Sequence, residues 1–251
     1  MQKAPLAGRI ALVTGASRGV GRAAAVALAG AGAHVIACGR TQGALEALDD
    51  EIRALGGAAT LVPADLAQPT AVDQLGGAIH GRHGRLDILV HAAAMLGGLR
   101  PVAHVPPKLW DRLLATNLTT AFALIRSLEP LLRASPSGRA IFLTCETARA
   151  PTAFWGAYAA TKAGLEALVR AWADEVAISN IRAVLLDPGP MRTRLRAEAF
   201  PGEDKAALPD PAAIGPLIVD LAGNRDPGPP DSVVRFSARP TAPAAASPGR
   251  P

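Results

Sequence analysis

The sequence predicts an α/β fold, a single domain with a seven-stranded parallel sheet and helices on both faces. Short aliphatic runs alternate along the chain with longer Ala/Leu-rich segments of helical period, the order that βαβ units produce. The strand segments are nearly continuous apolar runs, as expected for a sheet covered on both sides. The chain has 251 residues, 49% of them hydrophobic. That is enough for one sizeable core and too little for two ordinary domains.

The first strand is expected at 10–14, where the run Ile10-Ala11-Leu12-Val13 meets Thr14-Gly15. An Ala-rich helical pattern at 19–31 follows and stops at Gly32, a residue that readily ends a helix. A second strand at 34–38 leads into a helix at 42–55 that ends before Gly56-Gly57. The pattern continues with strands at 60–63 and 87–91 and helices at 69–80 and 107–132. The turn Ser135-Pro136-Ser137-Gly138 separates the last of these from a strand at 140–144. Helices at 157–178 and 210–222 and strands at 182–186 and 232–236 complete the alternation. Residues 1–237 therefore form the expected domain. From 238 to 251 the composition turns to Ala, Pro, Ser, Gly and Arg, with Pro240, Pro243, Pro248 and Pro251. Such a tail has too little apolar surface to order itself and is expected to be flexible.

Composition excludes several classes. Charged residues make up 19% and the 25 glycines follow no three-residue period, which argues against disorder and a collagen-like chain. The longest weakly polar run, 23–38, is broken by Gly30, Gly32 and His34 and falls short of the roughly 18–20 apolar residues of a membrane span. The start, Met1-Gln2-Lys3-Ala4-Pro5, has no apolar stretch of a signal peptide. A cytoplasmic protein without a membrane partner is the expectation. Cys38 and Cys145 are far apart and provide neither a disulfide framework nor metal-ligand spacing. The formal charge is +5, yet the arginines are scattered and only 4% of residues are aromatic, so no platform for nucleic-acid bases is visible.

Chemistry begins at the first strand–helix junction, Thr14-Gly15-Ala16-Ser17-Arg18-Gly19-Val20-Gly21. Gly15 and Gly19 let the backbone approach a pyrophosphate, and Gly21 allows close helix–sheet packing. The helix N-terminus offers free N–H groups and a positive dipole end to the anion. The spacing TGxxxGxG resembles the short-chain dehydrogenase/reductase family, and later landmarks follow in that family's order. Asp65-Leu66 resembles the pair at the adenine ring, and His91-Ala92-Ala93-Ala94 stands where the family usually has NNAG. Asn117 is at the place of the active-site asparagine, Tyr158-Ala159-Ala160-Thr161-Lys162 matches YxxxK, and Pro188-Gly189 with Thr193 matches the PG loop. The resemblance spans about residues 6–237 and implies a Rossmann-type doubly wound domain binding a nicotinamide dinucleotide. It also implies a homo-oligomer, dimer or tetramer.

The cofactor expected is NADP(H), with NAD(H) left open. A carboxylate after the second strand would hydrogen-bond a ribose 2′-hydroxyl and repel a 2′-phosphate. Gly39-Arg40 stands there instead. Arg40 can pair with a phosphate through its planar fork, and Arg18 adds a second positive charge. With the glycine turn and these two arginines, the resemblance implies as cofactor residues Gly15, Ser17, Arg18, Gly19, Val20, Gly21, Arg40, Asp65, Leu66, Ala92, Tyr158, Lys162, Pro188, Gly189 and Thr193.

Tyr158, the only tyrosine, lies four residues before Lys162 on a helical pattern, which puts both on one face. A close ammonium lowers a phenol's pKa by roughly 1–3 units toward the range of acid/base catalysis. The resemblance gives Lys162 a second role on the nicotinamide ribose and makes Asn117 the anchor of a relay water. The family's catalytic serine usually stands 13 positions before the tyrosine, and here that residue is Cys145. A thiol is the weaker hydrogen-bond donor, so carbonyl polarisation should be poorer. Thr144 could help only through a bulge, because adjacent strand residues face opposite ways.

His91 is read as a structural histidine, and His80 and His83 lack a third metal ligand. Met95 to Leu99, Phe154-Trp155 and the segment after Thr193 correspond to pocket walls and lid, and their apolar character suggests an apolar substrate. Arg192, Arg194 and Arg196 could attract an anionic substrate, but such a run is more often a solvated lid edge. The resulting expectation is reversible NADP(H)-dependent interconversion of a carbonyl and a secondary alcohol. The alternative is a nucleotide-binding scaffold or sensor with weak turnover, because Cys145 replaces the serine.

Overall fold

Strand β1, Ile10–Thr14, lies third in a seven-stranded sheet, with β2 (His34–Gly39) on one side and the central strand β4 (Ile88–His91) on the other. The computed structural model describes residues 4–68, 70–223, 228 and 232–237. The expected tail, 238–251, lies outside them. With β3 (Ala58–Pro63), β5 (Gly138–Leu143), β6 (Ile181–Asp187) and β7 (Val233–Arg235), the order is β3-β2-β1-β4-β5-β6-β7, and every pair is parallel. The order reverses between β1 and β4, and the crevice beyond their C-terminal ends is where open α/β sheets bind ligands.

Both faces of the sheet are buried, and the strand period assigns the side chains. Ala11 and Val13 of β1 join Ile141 and Leu143 of β5 in one core, packed under helices α1 (Gly19–Gly30), α2 (Gln42–Ala54) and α8 (Gly215–Ala222). Leu12, Ala140 and Phe142 enter the opposite core, under α3 (Ala71–His83), α5 (Thr120–Arg133) and α6 (Gly156–Glu175). Alternate residues point to opposite faces and both faces are apolar, which is why these strands show no polar alternation.

The departures from expectation have local causes. The third helix runs to His83 rather than 80, because the left-handed stop is Gly84 at φ +69°, a common helix terminator. The single helix expected over 107–132 is two helices, α4 (Pro107–Leu114) and α5, joined by a π-helical turn at Ala115–Thr119. The helix expected over 210–222 starts as a 3-10 turn, Pro211–Ile214, before α8. A short helix α7, Arg194–Ala199, was not anticipated and is capped by the Thr193 hydroxyl, which accepts from Arg196 N. No helix among the described residues is long and apolar enough to cross a membrane.

Candidate active site

The glycine turn after β1 is sterically closed on itself. Gly15 has φ +67°, and a Cβ there would sit 2.8 Å from the backbone of Ala93. At Gly21 a Cβ would stand 2.3 Å from the carbonyl oxygen of Gly15. Arg18 ends the turn without a side-chain cap, and the first turn of α1 holds no acidic residue. Its N–H groups therefore meet no carboxylate and can receive an anion. This cradle opens into a cleft of about 730 Å³, within the range of small-molecule sites. Every expected cofactor residue lines it, from Gly15 to Thr193, as does Cys145. Asn117 does not.

Charge in the cleft fits the expected cofactor. Arg18 and Arg40 are both exposed at its wall. Arg22, one turn on, is instead bound to Glu51 at 2.8 Å. Gly39, which ends β2, packs where a Cβ would lie 3.3 Å from that of Ser17, so the turn and the strand end are in contact. Asp65 is exposed and accepts from Ala67 N, while Leu66 is buried beside it.

His91 is fully buried, with Nδ1 against the Thr14 hydroxyl at 2.8 Å and the ring edge-on to Phe142. Burial, helped by the Lys162 charge, pushes its pKa down to about 3. It is a neutral packing residue, and its Nε2 has no hydrogen-bond partner in the protein.

At the other end of the cleft, α6 brings Tyr158 and Lys162 onto one face, as the spacing requires. Lys162 Nζ donates to the Leu143 carbonyl at 2.9 Å and stands 6.0 Å from the Tyr158 ring centre. Here the structure corrects an expectation. Burial first, then the neighbouring Cys145 and its hydrogen bond, hold the Tyr158 phenol well above its usual value, and burial lowers Lys162. Desolvation leads, and Cys145 and Asp187 act in the same direction. The phenol is only 6% exposed, because Leu96 and Ala199 pack on it, with Leu99, Trp155 and Leu195 around them. Trp155 meets the Tyr158 ring edge-on and also touches Phe200. Phe154, at φ +73°, sets the chain direction just before it. The wall that shields the phenol is thus built from α7, Trp155 and the loop after β4.

Asn117 is buried inside the π-helical turn. Its amide donates to Met95 O and Thr161 Oγ1 at 2.9 and 3.0 Å, and its carbonyl oxygen accepts from Met95 N at 2.9 Å. Both amide hydrogens have acceptors, so the side chain ties the loop after β4 to α6.

Cys145 follows β5 and is half-buried. Its sulfur lies 2.9 Å from the Thr147 hydroxyl. Glu146, its sequence neighbour, is exposed. Thr144 gives no help at the carbonyl position: it is buried and donates to Glu166 Oε1 at 2.6 Å, with no bulge to turn it round. Glu166 and Asp187 are joined by Arg149, which bonds Glu166 Oε1 and donates to Asp187 Oδ2 at 2.5 Å. Arg170 also reaches Glu166, at 2.7 Å. Asp187 Oδ1 accepts from Gly189 N at 3.0 Å, so this buried ion cluster holds the PG loop against α6. Arg192 and Arg194 are exposed, as expected of a solvated edge, whereas Arg196 is half-buried. Arg196 binds Glu203 and stacks over Phe200, and Arg192 binds Asp210.

Sequence reasoning missed Thr147, Arg149 and α7. Arg149 carries no local signal, since its partners lie 17 and 38 residues away.

Comparison with known proteins settles the family. The family model described as short chain dehydrogenase matches residues 9–204. The chain belongs to the short chain dehydrogenase family. It is 37% identical over 219 residues to the uncharacterised oxidoreductase YciK of Escherichia coli K12, covering 86% of each chain. A chloroplastic NADPH-dependent aldehyde reductase-like protein of Arabidopsis thaliana is 32% identical, covering 88% of this chain and 89% of its own. Among solved structures, a short chain dehydrogenase of Shigella flexneri complexed with NADP superposes with a TM-score of 0.87 at 35% identity, over 93% of this chain and 99% of that one. This short-chain dehydrogenase/reductase has the Rossmann-type architecture that its motifs implied.

Proposed function

We propose that the protein is an NADP(H)-dependent oxidoreductase that interconverts a carbonyl and a secondary alcohol on an apolar small molecule. The observation that carries this reading is one continuous cleft, with a glycine cradle and two arginines at one end and the Tyr158–Lys162–Cys145 group at the other. NADP and NADPH-dependence in the named relatives support the cofactor.

The bound cofactor supplies the hydride. Arg18 and Arg40 hold the 2′-phosphate, and Gly15, Ser17, Gly19, Val20 and Gly21 hold the pyrophosphate. Asp65, Leu66 and Ala92 line the adenosine side, and Pro188, Gly189 and Thr193 the nicotinamide side. Tyr158 carries the proton that a nascent alkoxide takes up. Burial keeps the phenol protonated, so the proton is in place before a carbonyl is reduced. Lys162 has one N–H on Leu143 O and two left for ribose hydroxyls. Asn117 fixes the turn whose backbone meets the relay water. Cys145 occupies the position facing the substrate carbonyl. Leu96, Leu99, Trp155 and Leu195 surround the phenol with apolar surface, which suits an apolar carbonyl compound.

NADPH oxidation across a panel of aldehydes, ketones and quinones tests the reading, with Tyr158→Phe beside the wild-type chain. The variant should lose turnover while keeping its NADPH dissociation constant, because only the transferable proton is removed. Full activity in Tyr158→Phe would refute the mechanism. NADPH binding with no turnover anywhere on the panel would favour the scaffold alternative.

A further inference from the structure

The cysteine at the carbonyl position has a hydroxyl beside it. Cys145 is extended, and the chain then makes one 3-10 turn over Glu146–Ala148, closed by Ala148 N donating to Cys145 O at 3.1 Å. That turn folds the side chain of Thr147 back onto its neighbour, with Oγ1 2.9 Å from Cys145 Sγ. Thr147 is half-buried and lines the same cleft as Tyr158. Three threonines of the cleft wall have side-chain bonds of their own, while Ser17, Thr116 and Thr152 also line the cleft but do not lie against Cys145 Sγ as Thr147 does. Thr144 donates to Glu166, Thr120 to backbone carbonyls, and Thr193 caps α7.

A hydroxyl has one donor and two acceptor lone pairs, whereas a thiol is weak in both roles. If the Cys145 S–H donates to Thr147 Oγ1, the threonine keeps its own O–H free for the cleft. We infer that Thr147 supplies the hydrogen bond to the substrate's carbonyl oxygen that the missing serine would have given, with Cys145 orienting it. This rests on the reductase reading above. Tyr158 gives its proton to the oxygen. Thr147 gives only a hydrogen bond and keeps its proton. Its effect falls on the developing negative charge, so it belongs in kcat more than in KM. The substitution of sulfur for oxygen at position 145 then moves the donor by two residues instead of abolishing it.

The test is a double-mutant cycle on the same carbonyl panel with NADPH, reading kcat, KM and the NADPH dissociation constant. Thr147→Val is nearly isosteric and should lower kcat at least about tenfold, toward the roughly 10²–10³ of a lost oxyanion donor, with NADPH binding unchanged. Thr147→Ser should retain activity within about threefold, because the hydroxyl remains. In a Cys145→Ser background the serine takes over, and adding Thr147→Val should cost less than about threefold. If Thr147→Val loses NADPH binding, Thr147→Ala carries the same comparison.

Wild-type kcat in Thr147→Val, or an equal loss in both backgrounds, overturns the role of Thr147. The reductase reading then still stands on an inactive Tyr158→Phe. A wild-type chain inert on the whole panel overturns both.

Discussion

Removing Arg149 should cost more than its place on an irregular loop suggests. Its guanidinium bridges Glu166 and Asp187, whose side chains are only 2% and 8% exposed. Arg149→Met keeps most of the stem and deletes both bonds. Glu166 retains Arg170 and Thr144. Asp187 retains only the Gly189 N–H on Oδ1, and its Oδ2 loses its arginine. Breaking a buried pair by deleting one partner costs about 3–5 kcal/mol. One carboxylate remains paired and the arginine is 23% exposed, so the lower end, about 3 kcal/mol, is expected. For a domain of this size that corresponds to a melting temperature lower by roughly 6–12 °C. NADPH should also bind more weakly, because Asp187 no longer has a fixed partner while it holds the PG loop. Urea unfolding, with thermal melts in the presence and absence of NADPH, measures both effects. Arg126→Ala serves as control: its pair with Asp73 is 58% and 52% exposed and should be worth under about 1 kcal/mol. A loss at Arg149 no larger than at Arg126 would show that the cluster does not hold the loop.

Two further predictions concern charge. Arg40→Asp should reverse the preference from NADPH to NADH, since a carboxylate there accepts from a 2′-hydroxyl and repels a phosphate. Dissociation constants for both cofactors at one salt concentration decide it, and an unchanged ratio would assign the 2′-phosphate elsewhere. His91 predicts an acid limb of stability. Its folded value is depressed to about 3 from an ordinary 6.5, so the unfolded chain binds a proton that the folded chain refuses. Stability should fall as pH drops from 6.5 toward 3, by about 1.4 kcal/mol per pH unit from this group. His91→Asn should flatten that slope, and parallel curves for the two proteins would remove His91 as the cause.

The sheet was legible because its strands are buried on both faces and so read as bare apolar runs between helical patterns. The glycine turn and the Tyr158–Lys162 pair were legible because their chemistry depends on short spacings along the chain. Thr147 escaped because its importance comes from a single 3-10 turn that folds it onto Cys145. Helix α7 escaped because six residues rich in arginine show no apolar period. The direction of the Tyr158 shift could not be read either. The sequence shows the ammonium at i+4, but the burial that leads the shift comes largely from Leu96 and Ala199, distant in the chain.

The π-helical turn at Ala115–Thr119 also constrains how this gene can change. Such a turn amounts to one extra residue in an otherwise α-helical stretch. Each residue of an α-helix advances the chain by about 100°. Loss of a single codon between 115 and 119 would restore a regular helix and rotate α4 by that angle relative to α5. Asn117 would leave its bonds with Met95 and Thr161, and the face that α4 presents would change. The same deletion at the exposed Pro201 or Gly202 would shift the segment after α7 and cost at most the Arg196–Glu203 pair. In-frame length variants among descendants of this sequence should therefore be rare in the first segment and common in the second.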